Sequence, residues 1–360
     1  MKILNISLDK NILDKDSAAA KRMVEYGNLV ERYTILVLAD RNQEFGLSDK
    51  VKVIAIRKSN KFFSLLKLKR RAAEVLNYEN YNIITVQDAY FIGLIALKLA
   101  KKFHLGLEAQ VHGFEKFSGV RKLLAKKVLR NADAVRVVSQ RLKRQLIGDF
   151  GVAEEKITVV PIYSEHSTRN TQHITYTNDK FIFLTVGRLV PVKNVSLQIK
   201  ATRHIVKQFP QAELWIVGDG EQRQALEELC YPLPVTRYVK FFGWQENVEK
   251  FYRQADVFLL TSNSEGWGLT VVEAATQGLP IIMTDVGLAG EVIKNNESGI
   301  VIPVDDQKEL EKAMIKLIAD AELRERLGRS AAEAVKKLPS QEETLALYKK
   351  SWQTAIDNKI

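Results

Sequence analysis

Short, β-branched apolar runs alternate with longer stretches of helical period along the whole chain, and this alternation limits the possible folds more than any other feature. In the first half the runs are KILNIS (2–7), YTILVLA (33–39), VKVIAI (51–56), NIITVQ (82–87), LEAQVH (107–112), AVRVVS (134–139) and ITVVP (157–161). Most carry apolar residues at consecutive positions, the pattern of strands covered on both faces and hence of parallel sheets flanked by helices. Helical stretches at 17–30, 62–77, 91–103 and 118–131 fill the gaps at the spacing of βαβ units. The second half repeats the pattern with FIFLTVG (181–187), ELWIVG (213–218), VKFFG (239–243), VFLLT (257–261), PIIMT (280–284) and GIVIPV (299–304), then helical patterns at 306–338 and 341–357.

The expected fold class is therefore α/β, with two Rossmann-like, doubly wound parallel-sheet domains over 1–165 and 166–340, facing a central cleft. A C-terminal helix at 341–360 is free to return to the first domain. The polar segment 164–180 reads as the linker. Ligands of such sheets bind beyond the carboxyl ends of the strands, so functional residues belong in the loops that follow strands. Cys230 is the single cysteine, which excludes an intramolecular disulfide and fits a reducing compartment. No uncharged apolar run approaches the ~18 residues of a membrane span. The start, MKILNISLDK, reads as a strand rather than a signal peptide. The expected location is cytoplasmic, peripheral at the inner face of the cell membrane.

The net charge of +11 is unevenly placed: residues 1–165 hold 30 Lys+Arg against 18 Asp+Glu, and the remainder holds 24 against 25. The first half is thus expected to meet something anionic: a phospholipid surface, a phosphorylated substrate or a nucleic acid. Between Lys50 and Ala73 there are nine basic residues and no acidic one. On a helical wheel Phe62, Leu65, Leu66, Leu68, Ala72, Ala73, Val75 and Leu76 form one broad apolar arc. Residues 57–76 therefore read either as a basic amphipathic helix lying on anionic lipid or as a helix packed on its own sheet with a solvated basic face. A second basic cluster, Arg121, Lys122, Lys126, Lys127 and Arg130, favours the lipid.

Three loops of the second half carry chemistry. In VGRLVPVKN, Arg188 and Lys193 follow a strand, where they could hold a diphosphate or merely be solvated. In VGDGEQ, Gly218 and Gly220 allow a close turn, either as a nucleotide wall or for turn geometry alone. In TSNSEGWGLTVVEAA, Glu265 is placed in a loop and Glu273 on the first turn of a helix starting near Leu269. The amides of Gly266 to Leu269 would then face an anion. Carboxylates accept paired hydroxyl hydrogen bonds, so Glu273 suits a ribose and Glu265 a sugar.

These motifs, with FFGWQENVEKFYRQADVFLLTSNSEGWG and DVGLAGEVI, resemble the donor domain of family 4 glycosyltransferases. The resemblance implies the two-Rossmann GT-B architecture and a retaining hexosyltransferase acting from a nucleoside diphosphate sugar onto a glycan or lipid-linked acceptor in polysaccharide or glycolipid biosynthesis. It implies that Arg188 and Lys193 bind the diphosphate, Glu265 the transferred sugar and Glu273 the ribose, with Trp244 and Gln245 beside the base. Trp267 stands in the donor loop where the family usually has Phe, a change expected to tighten packing at the sugar. In AQVHGFE, His112 ends a strand where the family has a histidine near the donor sugar. The family's glycine pair in the first loop is missing from LDKNILDKDSAAA, so Ser17, Lys15 or the helix amides would close the donor on that side. After Pro161 the family's Asn-Gly-Val-Asp is replaced by IYSEH.

Asp88, also at a strand end, either orients the acceptor hydroxyl or caps the helix at 90. The Asp14-x-Asp16 pair has the spacing of a metal motif in a different glycosyltransferase fold. With Arg188 and Lys193 to neutralise a diphosphate, no metal and no cofactor is expected. A nucleotide-sugar epimerase of the same architecture leaves the basic first half unexplained. A nucleic-acid-binding protein leaves Arg188, Lys193, Glu265 and Glu273 unexplained, and no nucleic acid is expected as a partner.

Overall fold

In the computed structural model, which describes residues 1–113, 119–163, 180–231 and 234–359, the chain forms two compact units. One comprises Met1–Pro161 with Pro339–Ile360, and the other Ile162–Leu338. The expected linker at 164–180 lies outside the described residues except for Lys180.

The first unit runs β1 (Lys2–Ser7), α1 (Ala18–Asn28), β2 (Arg32–Ala39), β3 (Gln43–Gly46), β4 (Val51–Arg57), α2 (Lys61–Tyr78), β5 (Ile83–Val86), α3 (Phe91–Phe103), β6 (Gly106–Val111), α4 (Gly119–Asn131), β7 (Ala134–Val137), α5 (Gln140–Gln145) and β8 (Ile157–Val159). The second runs β9 (Phe181–Val186), α6 (Val195–Gln208), β10 (Ala212–Val217), α7 (Arg223–Leu229), β11 (Val239–Gly243), α8 (Glu249–Gln254), β12 (Val257–Leu260), α9 (Leu269–Thr276), β13 (Ile281–Thr284), β14 (Ile300–Ile302), α10 (Gln307–Ala319) and α11 (Ala321–Val335), before α12 (Gln341–Asp357) rejoins the first.

The strand orders are β3-β4-β2-β1-β5-β6-β7-β8 and β11-β10-β9-β12-β13-β14. Within each sheet the order reverses once, between β1 and β5 and between β9 and β12. In an open α/β sheet that reversal opens a crevice at the carboxyl ends of the strands. The pairs are parallel except for β3 on β4, an antiparallel edge that the apolar pattern did not announce because QEFG is polar and half exposed. The continuous helix expected at 306–338 is broken at Asp320. This residue ends α10 and caps α11, its carboxylate accepting from the Leu323 amide.

Helix α12 covers the first sheet. Trp352 and Ala355 are fully buried with Tyr33, Ile35 and Met23. Gly106 permits the approach, since a Cβ there would lie 2.3 Å from the Ala355 carbonyl oxygen. Helix α2 packs less broadly than the wheel suggested. Only Ser64, Leu68, Ala72 and Leu76 are buried, one narrow i, i+4 stripe. Phe62 and Phe63 are 67% and 54% exposed, stacked edge to face on each other, and Leu66 is exposed too. Among the described residues no helix is long and apolar enough to cross a membrane.

Candidate active site

The loops after β9 and β12 flank the strand-order reversal of the second sheet, and the sequence directs both to it. After β9, Leu189 anchors in the core while Arg188 stays exposed. A single 3-10 turn, Pro191–Lys193, then leads through a left-handed Asn194 into α6. The Asn263 amide donates to the Val192 carbonyl at 2.7 Å, and the Thr261 hydroxyl donates to the Asn194 carbonyl at 3.0 Å. The β12 loop therefore holds the β9 loop in place.

Within this frame Lys193 Nζ forms an ion pair with Glu265 Oε1. The same oxygen accepts the Ser262 hydroxyl at 2.7 Å. Spacing had suggested separate duties for Lys193 and Glu265; without ligand they compensate one another. Arg188, Lys193, Gly187, Thr261 and Ser262 line the crevice beside them.

Helix α9 begins at Leu269 behind Gly268, whose φ of 111° favours glycine. Its first amides lack intrahelical partners and carry the positive end of the helix dipole. The helix starts where expected, but Glu273 is its fifth residue, one position past the first turn, which holds no acidic residue. Its Oε2 accepts the Tyr252 hydroxyl at 2.7 Å. Burial, and then the Glu273 charge, push the Tyr252 phenol well above its ordinary pKa, so it remains a donor. Tyr252 is a functional candidate that sequence reasoning passed over, although it lies in the quoted FYRQADVF segment.

Trp267 packs inward. Its side chain is 2% exposed, so it fills the core behind the loop and leaves only backbone at the turn. Gly287 lets the 285–288 loop pack there, since a Cβ would meet the Trp267 carbonyl at 2.2 Å. Gly218 and Gly220 have a structural duty: a Cβ would lie 1.9 Å from the Gly187 oxygen and 2.4 Å from the Leu189 oxygen respectively. They press the β10 loop onto the backbone of the Arg188 loop. Trp244 is 72% exposed, while Gln245 turns back to donate to the Phe242 carbonyl at 2.9 Å.

In the first unit, His112 lies one residue beyond β6. It is exposed by surface area although its ring is crowded by protein. That crowding first, and the Arg136 charge second, disfavour the imidazolium and bring the pKa down to about 4. Phe114 and Glu115 of the AQVHGFE run lie outside the described residues. Asp88 is half-buried and accepts from the Tyr90 amide at 2.6 Å, and burial raises its pKa. Tyr90 rather than Asp88 is the N-cap of α3, which has no side-chain cap, and the Asp88 carboxylate instead takes the Tyr90 and Ile92 amides just before and inside the first turn. Ser17 caps α1 and donates to the Asn11 carbonyl at 2.6 Å, which commits its hydroxyl locally. Lys15 lies over the Phe45 ring at 5.4 Å. The Asp14 carboxylate accepts the Asp16 amide, and among the described residues no group of three or more His, Cys, Asp or Glu is disposed to hold a metal.

Comparison with known proteins matches residues 168–334 to the family "Glycosyl transferases group 1" and residues 28–162 to "Glycosyltransferase Family 4". The chain is 25% identical to the alpha-monoglucosyldiacylglycerol synthase of Acholeplasma laidlawii, over 83% of this chain and 80% of that protein. It is 31% identical to the lipopolysaccharide core biosynthesis glycosyltransferase LpsE of Rhizobium meliloti, a match that spans 44% of this chain and only 45% of that protein. Sucrose-phosphate synthase of Thermosynechococcus elongatus superposes with a TM-score of 0.77 over 98% of both chains at 20% identity. HepE of Anabaena, solved with UDP and glucose, gives 0.76 over 98% of this chain and 99% of that one at 17% identity. These likenesses fit the GT-B architecture.

Proposed function

The chain belongs to the family 4, group 1 glycosyltransferases, and from that premise we propose that it moves a hexosyl group, with retention, from a nucleoside diphosphate sugar to a hydroxyl of a glycan or lipid-linked acceptor. The observation that carries this reading is the Lys193–Glu265 pair between Arg188 and the start of α9. Binding a diphosphate draws Lys193 from Glu265. Lys193, Arg188 and the α9 amides then neutralise the phosphates, and the released carboxylate accepts hydroxyls of the sugar. Glu273, held by the Tyr252 hydroxyl, accepts the ribose hydroxyls, and Trp244 offers a flat surface to the base.

The reaction breaks the bond from the anomeric carbon to the phosphate oxygen and forms one to the acceptor oxygen on the same face. The acceptor proton passes to the departing phosphate, while His112 and Asp88 serve the acceptor side. Cationic side chains replace a metal. A screen of UDP-, GDP- and ADP-sugars, with and without excess chelator, tests the reading. One class is expected to be turned over at an unchanged rate in chelator; turnover restored only by Mg²⁺ or Mn²⁺ would refute metal independence.

The exposed side chains of α2 support membrane docking as part of the reading. Phe62, Phe63 and Leu66, with Val120 and Leu123 of α4, are apolar and exposed. Four of the basic residues between Lys50 and Ala73 are already paired: Lys52 and Arg71 with Glu44, Arg70 with Glu74, and Lys58 with Asp40. Lys67, Lys69, Lys122, Lys126 and Lys127 have no acidic partner among the described residues, and each contributes about 1 kcal/mol at an anionic surface. Replacing Phe62 and Phe63 by Ser is expected to preserve the melting temperature and abolish sedimentation with anionic vesicles. Equal partition of the wild type onto neutral vesicles would reject the electrostatic part.

A further inference from the structure

Below His112 the first sheet buries a continuous polar chain that the proposed reaction does not use. Glu108, on β6, is fully buried and pairs with Arg136 of β7 at 3.1 Å. Its Oε1 accepts the Ser351 hydroxyl of α12 at 2.5 Å, and its Oε2 accepts the Thr85 hydroxyl of β5 at 2.5 Å. Gln110 Nε2 lies 2.6 Å from the Thr85 oxygen, and Gln110 Oε1 lies 3.4 Å from His112 Nε2. Thr85, Ser351 and Gln110 are all buried.

The proton positions follow from what each group can do. A carboxylate paired with Arg136 only accepts, so Thr85 must give its proton to Glu108. The Thr85 oxygen is left as an acceptor and therefore faces the amide nitrogen of Gln110. That orientation turns the Gln110 carbonyl toward His112, whose Nε2 must carry the hydrogen to meet it. Nδ1 is left with its lone pair and, among the described residues, has no partner.

We propose that Gln110, oriented by Thr85 and Glu108, is a positioning residue that locks His112 as the Nε2–H tautomer and presents Nδ1 as a hydrogen-bond acceptor to a substrate hydroxyl. This rests on the reading of His112 as a group beside the substrate. Burial above all keeps the ring neutral; among the surrounding charges Arg136 on β7 and Arg22 on α1 lower its pKa further, and Glu108 on β6 opposes them.

Ring ¹⁵N spectra of the full chain between pH 6 and 8, with His112→Ala used to assign the signal among five histidines, test the proposal. The wild type is expected to show the Nε2–H tautomer. Thr85→Val and Gln110→Leu should each convert it to a mixture and lower kcat by on the order of tenfold, as expected for a misoriented group. Thr85→Ser, which keeps the hydroxyl, should restore both. Thermal melts of each variant separate lost stability from lost orientation. An Nδ1–H tautomer in the wild type, or an unchanged His112 spectrum in both Thr85→Val and Gln110→Leu, overturns the proposal. So does a shifted tautomer with undiminished kcat while His112→Ala is inactive. If instead His112→Ala is fully active, the functional reading of His112 falls, and the spectra alone decide whether the polar chain sets its tautomer.

Discussion

Arg136→Met is expected to destabilise the first unit by about 3–5 kcal/mol, the cost of leaving a buried carboxylate without its cation. Glu108 has no access to water and Arg136 is 5% exposed, so neither charge can be rescued by solvent. Arg136 also stacks on the Tyr348 ring at 4.0 Å, and Tyr348 accepts the Tyr26 hydroxyl at 2.7 Å. The substitution therefore loosens α12 from α1 as well as β6 from β7. Burial works against the guanidinium, but Glu108, Tyr348 and Tyr26 outweigh it and hold its pKa above the ordinary value. Two units rarely unfold as one transition, so the measurement is hydrogen exchange resolved to the β6 and β7 segments. The double variant Glu108→Leu, Arg136→Met should recover part of the loss, because an apolar pair removes the stranded charge. A loss below about 1 kcal/mol in the single variant would mean that water reaches Glu108, contrary to its burial.

The strands were legible because nearly all are buried on both faces, and a short run of consecutive apolar residues between turns fits little besides such a strand. The same rule hid the polar chain: Glu108 in LEAQVH and Arg136 in AVRVVS read as isolated exceptions within apolar runs. Strand order alone puts them on neighbouring strands as a diagonal pair, two residues apart in a register that sets Glu108 opposite Ala134 and Gln110 opposite Arg136. The edge strand β3 escaped because a short, half-exposed hairpin arm needs no apolar pattern. The strand-end loops were legible, and Arg188, Lys193 and Glu265 do sit in them. That Lys193 contacts Glu265 was not, because 72 residues separate them and only the reversal between β9 and β12 makes their loops neighbours. Tyr252 escaped for the same reason, reaching Glu273 from a different helix. Gly218 and Gly220 show the opposite case. Their spacing fitted either a nucleotide wall or turn geometry alone, and the approach of one backbone to another is sufficient to require them.

Replacing Lys193 by Met should weaken nucleoside diphosphate binding by about 1.5–3 kcal/mol, or roughly 10- to 150-fold, the worth of a hydrogen bond to a charged group. Turnover should fall further, by about 10²–10³, because on the proposed reading Lys193 meets the charge that grows on the departing diphosphate in the transition state. Arg should not substitute fully, since its planar fork does not fit the point contact now made with Glu265. The ion pair supplies a sharper test. On the proposed reading Glu265, paired with Lys193 in this structure, is a competitor that phosphate must displace, and Glu265→Gln removes it. Nucleoside diphosphate alone should then bind as tightly as in the wild type or a few-fold more tightly. Sugar transfer should fall, because the carboxylate no longer accepts the sugar hydroxyls as strongly. Titration calorimetry with the nucleoside diphosphate, beside kcat/KM for transfer, reads both effects. Unchanged affinity in Lys193→Met would remove the diphosphate from this loop. Equal losses of nucleotide affinity in Lys193→Met and Glu265→Gln would show that the pair acts as a structural clasp and that no exchange of partners accompanies binding.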